Sequence, residues 1–303
     1  PWLRRAHYNC APVMSQTSTS AVPARLDFHK MVGAGNDFVV VDARAAPFVP
    51  DAALVRRLAD RREGIGCDQL LVIGPAPDAD TAFSYRIWNA DGGEVEQCGN
   101  GARCLALLWG TELSAGATEF RMHSAGGVVA ARVRGVEAAV AMGVPDFEPA
   151  RIPLRARAEA ARYPLEATGL RVEVGAVSMG NPHAVLVLDE LGLDTVATAP
   201  VATLGRALEI HPDFPRRVNV GFAEVQDRSH VALRVWERGC GETQACGTGA
   251  CAAVAVLRDA GRVDSRVSVD LPGGRLVVEW QGRGASAWLS GPSRKAFEGS
   301  IEL

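Results

Sequence analysis

Lysine is scarce in this sequence. Of the 32 Lys and Arg residues in the 303-residue chain, only Lys30 and Lys295 are lysines. Pyridoxal phosphate enzymes hold their cofactor through a lysine Schiff base. Neither lysine lies in the repeated motifs described below, so we expect no pyridoxal and no other cofactor. The arginines are scattered among acidic residues rather than clustered, which argues against nucleic acid as a partner.

Long apolar runs and a disulfide framework are also missing. No run of apolar residues approaches the roughly 20 residues of a membrane span, so we expect no membrane association. The seven cysteines are an odd number and lie in Gly/Ala-rich segments, which favours a reducing, cytoplasmic location. Residues 1–13 lack the apolar core of a signal peptide. We interpret residues 1–23 as a tail that is disordered or introduced with the expression vector, with Met14 as the expected native start.

What the sequence does contain is an internal repeat. An Arg-Ile/Val-Trp triplet followed by Cys-Gly-x-Gly-Ala occurs at residues 86–102 and again 148 positions later, at 234–250. Weaker matches at offsets of 145 to 147 positions pair Gly35-Asn36 with Gly180-Asn181, Gly126-Gly127 with Gly273-Gly274, and Pro145 with Pro292. In each copy a cysteine, Cys98 or Cys246, precedes an apolar run that predicts a buried helix. We therefore infer two halves of similar fold, each with a cysteine at the start of its central helix.

The position of these cysteines suggests chemistry. A helix start offers unpaired backbone N–H groups and the positive end of the helix dipole, and both favour thiolate over thiol. The same N–H groups would bind a carboxylate. A single cysteine before or within such a helix is more often a small buried apolar residue, and this is our interpretation of Cys10, Cys67, Cys104 and Cys251.

Two other functional classes stay open from the residues alone. Cys98 with Cys104, or Cys240 with Cys246, could bind a metal ion, but their spacings do not match a zinc ribbon or finger. A thiol-disulfide exchange protein would normally contain Cys-x-x-Cys in a βαβ context, and this sequence contains neither. We expect no metal.

Seven ordered motifs carry a family resemblance. They are Gly35-Asn36-Asp37-Phe38, Gly64-Ile65-Gly66-Cys67-Asp68-Gln69, Asn89-Ala90-Asp91-Gly92, the segment 97–104, Gly180-Asn181-Pro182-His183, the segment 217–222 and Glu237-Arg238-Gly239. Over residues 26–303 the chain resembles diaminopimelate epimerases. The resemblance implies an α+β fold of two pseudo-symmetric domains, each a curved, mostly antiparallel sheet wrapped around a central helix. We place the first domain at 24–145 plus 293–303 and the second at 146–292, with 146–171 as an extended crossing that carries a surface insertion.

The resemblance also implies the activity. Members of this family are pyridoxal-independent isomerases that interconvert LL- and meso-diaminopimelate on the way to lysine and peptidoglycan precursors. Inversion needs a base on one face of the α-carbon and an acid on the other, and Cys98 and Cys246 would alternate in these roles. His183 and Glu237 would tune the thiol pKa values. The implied substrate-binding residues are Asn36, Gln69, Asn89, Gly99, Asn100, Asn181, Asn219, Glu237, Arg238, Gly247 and Thr248.

At some positions this chain differs from the pattern of the family that it resembles. Cys67 and Cys240 stand where small or apolar residues are more usual, and Phe297 stands where some dimeric members have a tyrosine at the subunit contact. We still expect a homodimer. The related proline racemases share the paired cysteines and are the nearest alternative. Glu237, Arg238 and the asparagines favour a substrate with a second zwitterionic centre, which proline lacks.

Overall fold

The computed structural model describes residues 25–114 and 116–303. The expected tail at 1–23, with Cys10, lies outside the described residues. The strands of the first half are β1 (Arg25–Gly33), β2 (Asn36–Asp42), β3 (Gln69–Gly74), β4 (Phe83–Asn89), β5 (Glu94–Val95), β6 (Glu119–Ser124), β7 (Gly127–Arg134) and β8 (Glu137–Ala141). Its helices are α1 (Ala52–Ala59) and α2 (Gly99–Leu108), the latter continued by a π-helical turn (Trp109–Leu113).

The second half repeats this order after an additional first strand and has a longer connection between its third and fourth strands. Its strands are β9 (Tyr163–Ala167), β10 (Leu170–Ser178), β11 (Pro182–Val187), β12 (Asn219–Asp227), β13 (His230–Glu237), β14 (Gly241–Thr243), β15 (Arg266–Leu271), β16 (Gly274–Glu279), β17 (Trp288–Gly291) and β18 (Ser293–Glu302). Its helical segments are two 3₁₀ turns (Leu188–Leu191 and Val196–Thr198), a π-helical turn (Val201–Gly205), α3 (Arg206–Glu209) and α4 (Gly247–Asp259).

The pairing of the strands shows the internal symmetry. The sheet runs in the order β18-β1-β2-β3-β4-β6-β7-β8-β17-β16-β15-β13-β12-β11-β10-β9, with β5 on β4 and β14 on β13. Parallel pairs occur at β2/β3, β4/β6, β11/β12 and β13/β15, which are equivalent positions in the two halves. The remaining pairs are antiparallel. The predicted α+β fold with two repeated halves and mostly antiparallel strands is confirmed.

The symmetry extends to side chains. Arg86 of β4 makes a two-pronged ion pair with Glu94 of β5, at 2.7 Å for both bonds. In the second half, Arg234 of β13 pairs with Glu242 of β14 at 2.6 and 2.9 Å. Both members of the second pair lie 148 positions after their counterparts. Each pair fastens a short hairpin strand to the long strand that leads to its cysteine.

Each half wraps its sheet around one buried helix. All residues of α2 and nine of the residues of α4, Gly249 to Leu257, are buried. Helix α2 packs against β1, β8 and β18, and α4 packs against β10, β11 and β12. The fit is tight, since a Cβ on Gly175 of β10 would lie only 2.3 Å from a methyl carbon of Val256 in α4. Helices without a polar face can form here because the sheet covers them on every side.

The crossing segment differs from its prediction. Residues 146–171 are not simply an extended link with a surface insertion, because they include β9, which pairs with β10. Tyr163, Leu165 and Ala167 of β9 point into the core, while Pro164 and Glu166 are exposed. The expectation was therefore wrong for this part of the segment, which forms one edge of the sheet.

The two halves are joined through the sheet. Strand β18 crosses back from the second half and pairs with β1 along its length, and β8 pairs with β17 to make the sheet continuous. The domain limits at 145/146 and 292/293 stay a prediction. Within the described residues, no helix is long and apolar enough to cross a membrane.

Candidate active site

Both cysteines of the repeat lie at the first turn of their helices. Cys98 precedes α2, and its sulfur accepts a hydrogen bond from the backbone N–H of Gly101 at 3.4 Å. Cys246 precedes α4, and its sulfur accepts from the N–H of Gly249 at 3.3 Å. In both cases the cysteine has extended backbone geometry, which is typical of a residue that caps a helix N-terminus.

The two helix starts lie side by side at the junction of the halves. A Cβ atom placed on Gly247 would lie 3.9 Å from the Cα of Gly99 and 3.9 Å from the side-chain oxygen of Asn100. Leu289 of β17 packs beneath both turns, so closely that a Cβ on Gly99 or on Gly247 would lie 3.1 or 2.8 Å from it. Glycine at these two positions lets both helix N-termini approach one point.

Burial dominates the acidity of both thiols. Cys246 is buried and Cys98 is half-buried. Burial raises the pKa of the Cys98 thiol, and the N–H groups of Gly101 and Asn100 only partly oppose it. The pKa of Cys246 is raised well above its ordinary value by burial and then by Glu237, against the Thr248 hydroxyl and the Gly249 N–H. The expected preference for thiolate was therefore wrong for the site as it stands, because desolvation outweighs the helix terminus.

Glu237 is the charged group shared by the two thiols. It lies half-buried at the end of β13, where its Oε1 accepts a hydrogen bond from the Thr243 hydroxyl at 2.5 Å. Its negative charge raises the pKa of both Cys98 and Cys246, and at Cys246 a side-chain hydrogen bond adds to the effect. Glu237 therefore disfavours a thiolate on either side, more strongly at Cys246.

The predicted site residues of the first half form two hydrogen-bonded pairs. Asn100 donates to the side-chain oxygen of Asn36 at 2.8 Å, and Asn36 in turn donates to Asp68 at 3.2 Å. Gln69 donates to the side-chain oxygen of Asn89 at 2.8 Å across β3 and β4. The Oε1 atom of Gln69 is buried and accepts no hydrogen bond from any described residue. This acceptor is therefore unused among the described residues.

In the second half a polar chain leads to Cys246. The Nε2 atom of His183 lies 3.0 Å from the Asn181 side-chain oxygen, and Asn181 donates to the Thr248 hydroxyl at 3.4 Å. That hydroxyl lies 3.5 Å from the Cys246 sulfur. Because an amide oxygen only accepts, this geometry places the imidazole proton on Nε2. Burial, with Arg238 as second cause, lowers the pKa of His183 to about 3, so the imidazole is neutral near pH 7.

Asn219 and Arg238 lie in different environments: Asn219 is buried and connects strands, whereas Arg238 is exposed. Asn219 is buried, donates to the carbonyl of Pro182 at 3.0 Å and accepts from the backbone N–H of Arg238 at 2.9 Å. It thereby ties β11, β12 and the end of β13 together. The Arg238 side chain is exposed, and one guanidinium nitrogen donates to the carbonyl of Arg216 at 3.1 Å.

Comparison with known proteins decides the family. A family model of diaminopimelate epimerases matches residues 28–148 and 175–296, one segment in each half. Proteins named diaminopimelate epimerase from Alkalilimnicola ehrlichii and Nitrosomonas europaea are similar to this chain. The first is 50% identical over 284 residues, covering 92% of this chain and 99% of the relative. The second is 48% identical over 280 residues, covering 92% and 100%. The chain belongs to the diaminopimelate epimerase family.

Solved structures of other proteins share this fold. A hydroxyproline epimerase from Agrobacterium vitis, with bound trans-4-hydroxy-L-proline, superposes with a TM-score of 0.66 at 19% identity, covering 92% of this chain and 93% of the other. A PhzF-family phenazine biosynthesis protein from Enterococcus faecalis gives a TM-score of 0.66 at 14% identity, covering 92% and 100%. At such low identity the likeness establishes the shared fold only.

Arg103, which lies in the segment 97–104 and has no role predicted from the sequence, contacts the predicted site residue Asn100. Arg103 is fully buried in α2 and donates to the side-chain oxygen of Asn100 at 2.7 Å. Its other terminal nitrogen donates to the carbonyl of Pro292 and the hydroxyl of Ser293, both at 3.2 Å. Arg103 thus connects the crossing between β17 and β18 with the Asn100–Asn36 pair. Its position three residues after Asn100 on a helix is the sequence signal that could have indicated this.

One group of metal-ligating residue types lies away from the cysteines. Among the described residues, His29, Glu112 and Glu298 bring ligand atoms within 4.8 Å of one another. The ammonium group of Lys295 already bonds both carboxylates, at 2.7 and 2.8 Å. The ammonium group of Lys295 thus already occupies the position between these carboxylates.

Proposed function

We propose that this protein is a pyridoxal-independent amino-acid epimerase that interconverts LL- and meso-diaminopimelate by proton transfer between two cysteines. The observation that carries the proposal is the meeting of two helix N-termini, each capped by a cysteine, at the junction of the two halves. In this arrangement Cys98 removes the α-proton from one face of the carbon and Cys246 delivers a proton to the other. The reverse reaction exchanges the two roles, and family membership supports this assignment.

The raised thiol pKa values suit the reaction. The α-proton of an amino acid is very weakly acidic, and a stronger base removes it faster once the base is formed. A thiolate in a buried site is a stronger base than an exposed one because its pKa is higher. As an interacting pair sharing Glu237 as a neighbour, Cys98 and Cys246 titrate jointly rather than one by one.

The developing negative charge needs donors that are already in place. We assign this role to the backbone N–H groups at Gly99-Asn100 and Gly247-Thr248, which start the two helices and would hold the α-carboxylate. Each such donor contributes about 2.7–4 kcal/mol to stabilising the developing charge. The free Oε1 atom of Gln69 is the acceptor we assign to a substrate ammonium group.

The remaining polar residues would bind the second zwitterionic centre. Arg238 offers a planar guanidinium that can grip a carboxylate through two parallel hydrogen bonds. Glu237 would take the distal ammonium group, and Asn89 and Asn181 would complete the lining, with Asn219 as their support. Recognition of both ends separates diaminopimelate from proline, which has one amine and one carboxylate.

We also propose a cytoplasmic homodimer. Within the described residues β18 pairs with β1 alone, so its outer edge is available to another strand. Phe297 on β18 is 51% exposed although its ring packs edge-on against Phe28 at 6.1 Å. Light scattering on the purified protein, with Phe297→Ala as the variant, tests this: the wild type should have twice the mass of one chain and the variant less.

The activity is tested by incubating the protein with LL- or meso-diaminopimelate and separating the isomers by chiral chromatography. Cys98→Ala and Cys246→Ala should each abolish interconversion, because one face of the carbon then lacks its acid or base. Cys251→Ala is the matched control, since this buried cysteine lies five residues further along α4. It should lose stability but keep turnover. Near-normal turnover in either of the first two variants, or equal turnover of L-proline by the wild type, would overturn the proposal.

A further inference from the structure

A buried carboxylate outside the proposed machinery supports the end of β13. Glu209 is the last residue of α3, lies in the connection between β11 and β12, and is only 6% exposed. Its Oε2 atom accepts a hydrogen bond from the indole N–H of Trp236 at 2.8 Å, and its Oε1 atom accepts from the backbone N–H of Gly239 at 2.9 Å. These two donors stand immediately before and after Glu237 and Arg238. The guanidinium of Arg217 is a third and longer partner, 3.5 Å from Oε1 of Glu209.

Few apolar contacts hold the turn that contains Glu237 and Arg238. Arg238, Gly239 and Cys240 are all exposed, so apolar packing does not fix this turn. Across the turn the Cys240 N–H donates to the Glu237 carbonyl at 3.1 Å, and β13 pairs with β14 from Glu237 and Gly241 onward. Exposed segments with few buried contacts open at low free-energy cost. Glu237 is also held by the β13/β14 pairing and by Thr243. The exposed Arg238-Gly239 segment is anchored from outside the turn, by Asn219 and Glu209.

The equivalent turn of the first half is built differently. There Asp91 supplies the carboxylate from inside the turn, accepting from the N–H of Gly93 at 2.7 Å, and Asn89 N–H bonds the Gly93 carbonyl at 2.8 Å. The residue 148 positions after Asp91 is Gly239, which has no side chain. The second half thus lacks a carboxylate at the position equivalent to Asp91, and Glu209 provides one from the β11–β12 connection.

We propose that Glu209 is a positioning residue for the recognition of the substrate's distal end. Its carboxylate holds Trp236 and Gly239 so that Glu237 and Arg238 face the distal ammonium and carboxylate groups. A carboxylate suits this place because its partners Trp236, Gly239 and Arg217 are all donors, and it offers two acceptor oxygens in one plane. The inference rests on the proposed function and adds a residue to it.

Glu209→Gln is the sharpest variant, because it keeps the shape but turns one acceptor into a donor that faces an N–H group. We expect KM for diaminopimelate to rise at least tenfold with kcat changed less than threefold. The control is Glu224→Gln, which removes the same charge from a glutamate that accepts from the Val196 N–H at 2.8 Å nearby. Thermal unfolding of both variants shows that they are folded.

A binding readout separates positioning from a general structural effect. Diaminopimelate should protect Cys98 and Cys246 of the wild type from iodoacetamide, and the concentration for half protection should rise at least tenfold in Glu209→Gln. The alkylation rate without diaminopimelate should stay as in wild type. If Glu209→Gln does not fold, Trp236→Phe keeps an aromatic ring, though a smaller one, and removes the indole donor; it should raise the half-protecting concentration about threefold.

The outcomes are distinguishable. A wild type that neither turns over nor is protected by diaminopimelate refutes the proposed function itself. A wild type that does both, with a folded Glu209→Gln variant within twofold of it in KM and protection, refutes the role of Glu209. So does a fall in kcat with unchanged protection, because Glu209 would then act on the chemical step.

Discussion

Replacing Glu237 by glutamine should make both thiols more acidic, and Cys246 most of all. The change keeps an acceptor for the Thr243 hydroxyl and removes one negative charge. That charge raises the pKa of both thiols in the wild type, and at Cys246 it follows only burial in importance. A thiolate is negative, so the loss of a negative neighbour favours it and the pKa falls.

The size of the effect follows from the charges involved. Two unit charges about 4 Å apart interact with about 4 kcal/mol at an effective dielectric constant of about 20, and one pKa unit corresponds to about 1.4 kcal/mol. We therefore expect the pKa of Cys246 to fall in Glu237→Gln, so that its alkylation begins at lower pH than in the wild type. Cys98 should shift in the same direction by less, because Glu237 ranks below burial and the backbone bonds there.

The assay is the pH dependence of iodoacetamide alkylation, followed at each cysteine by mass spectrometry, since only thiolates react. Cys251 is the internal control: burial raises its pKa to about 12, and the charge that acts on it is Arg103 rather than Glu237. Its alkylation should not change. An unshifted pKa at Cys246, or a larger shift at Cys98 than at Cys246, would refute the electrostatic role given to Glu237.

Three further predictions concern the surroundings of the site. Arg238→Lys keeps the charge but loses the two-pronged grip, so kcat/KM for diaminopimelate should fall tenfold or more, a loss of about 1.5–3 kcal/mol; a kinetically silent variant would contradict distal recognition. His183 has its pKa lowered from 6.5 to about 3, so only the unfolded chain gains a proton as the pH falls through this range, and stability falls with it. The control is His183→Phe, because phenylalanine (Phe38) stands at the equivalent position of the first half. Between pH 6 and 4.5, urea unfolding should show that the free energy of unfolding falls by about 2 kcal/mol more in the wild type than in His183→Phe. Equal losses would contradict a neutral buried imidazole. Arg103→Met should lower kcat/KM at least tenfold because Asn100 loses its partner, while thermal unfolding shows a folded protein; kcat/KM within twofold of wild type would exclude a positioning role.

Local chemistry made the repeat and its helix starts predictable. A cysteine followed by Gly-x-Gly-Ala and an apolar run is a self-contained signal, because the cap and the first turn depend on neighbouring residues. Strands such as β3 and β13 were likewise predictable from their buried apolar residues. The predicted pairing of the two halves needed only the constant spacing of 148 positions between Cys98 and Cys246.

Properties set by distant residues were not predictable in the same way. Strand β9 was missed because its alternation, with Tyr163 and Leu165 inward, lies in an Arg-, Ala- and Pro-rich stretch that has the composition of a surface link. The net pKa direction of the two thiols was wrong because burial is decided by the whole fold. The contact between Glu209 and Trp236 joins residues 27 positions apart, and neither residue belongs to a motif that indicates the other.

The central claim, that two thiols act on opposite faces of one carbon, is tested most directly by epimerisation in deuterated water. LL-diaminopimelate and the meso isomer are each used as starting material, and both isomers are analysed by mass spectrometry at low conversion. If Cys98 and Cys246 are separate bases, the newly formed isomer should carry one solvent deuterium at the inverted carbon, while the recovered starting isomer carries none. Retention of the original α-proton in the product, or deuterium in the recovered substrate at the rate of turnover, would contradict the two-thiol mechanism.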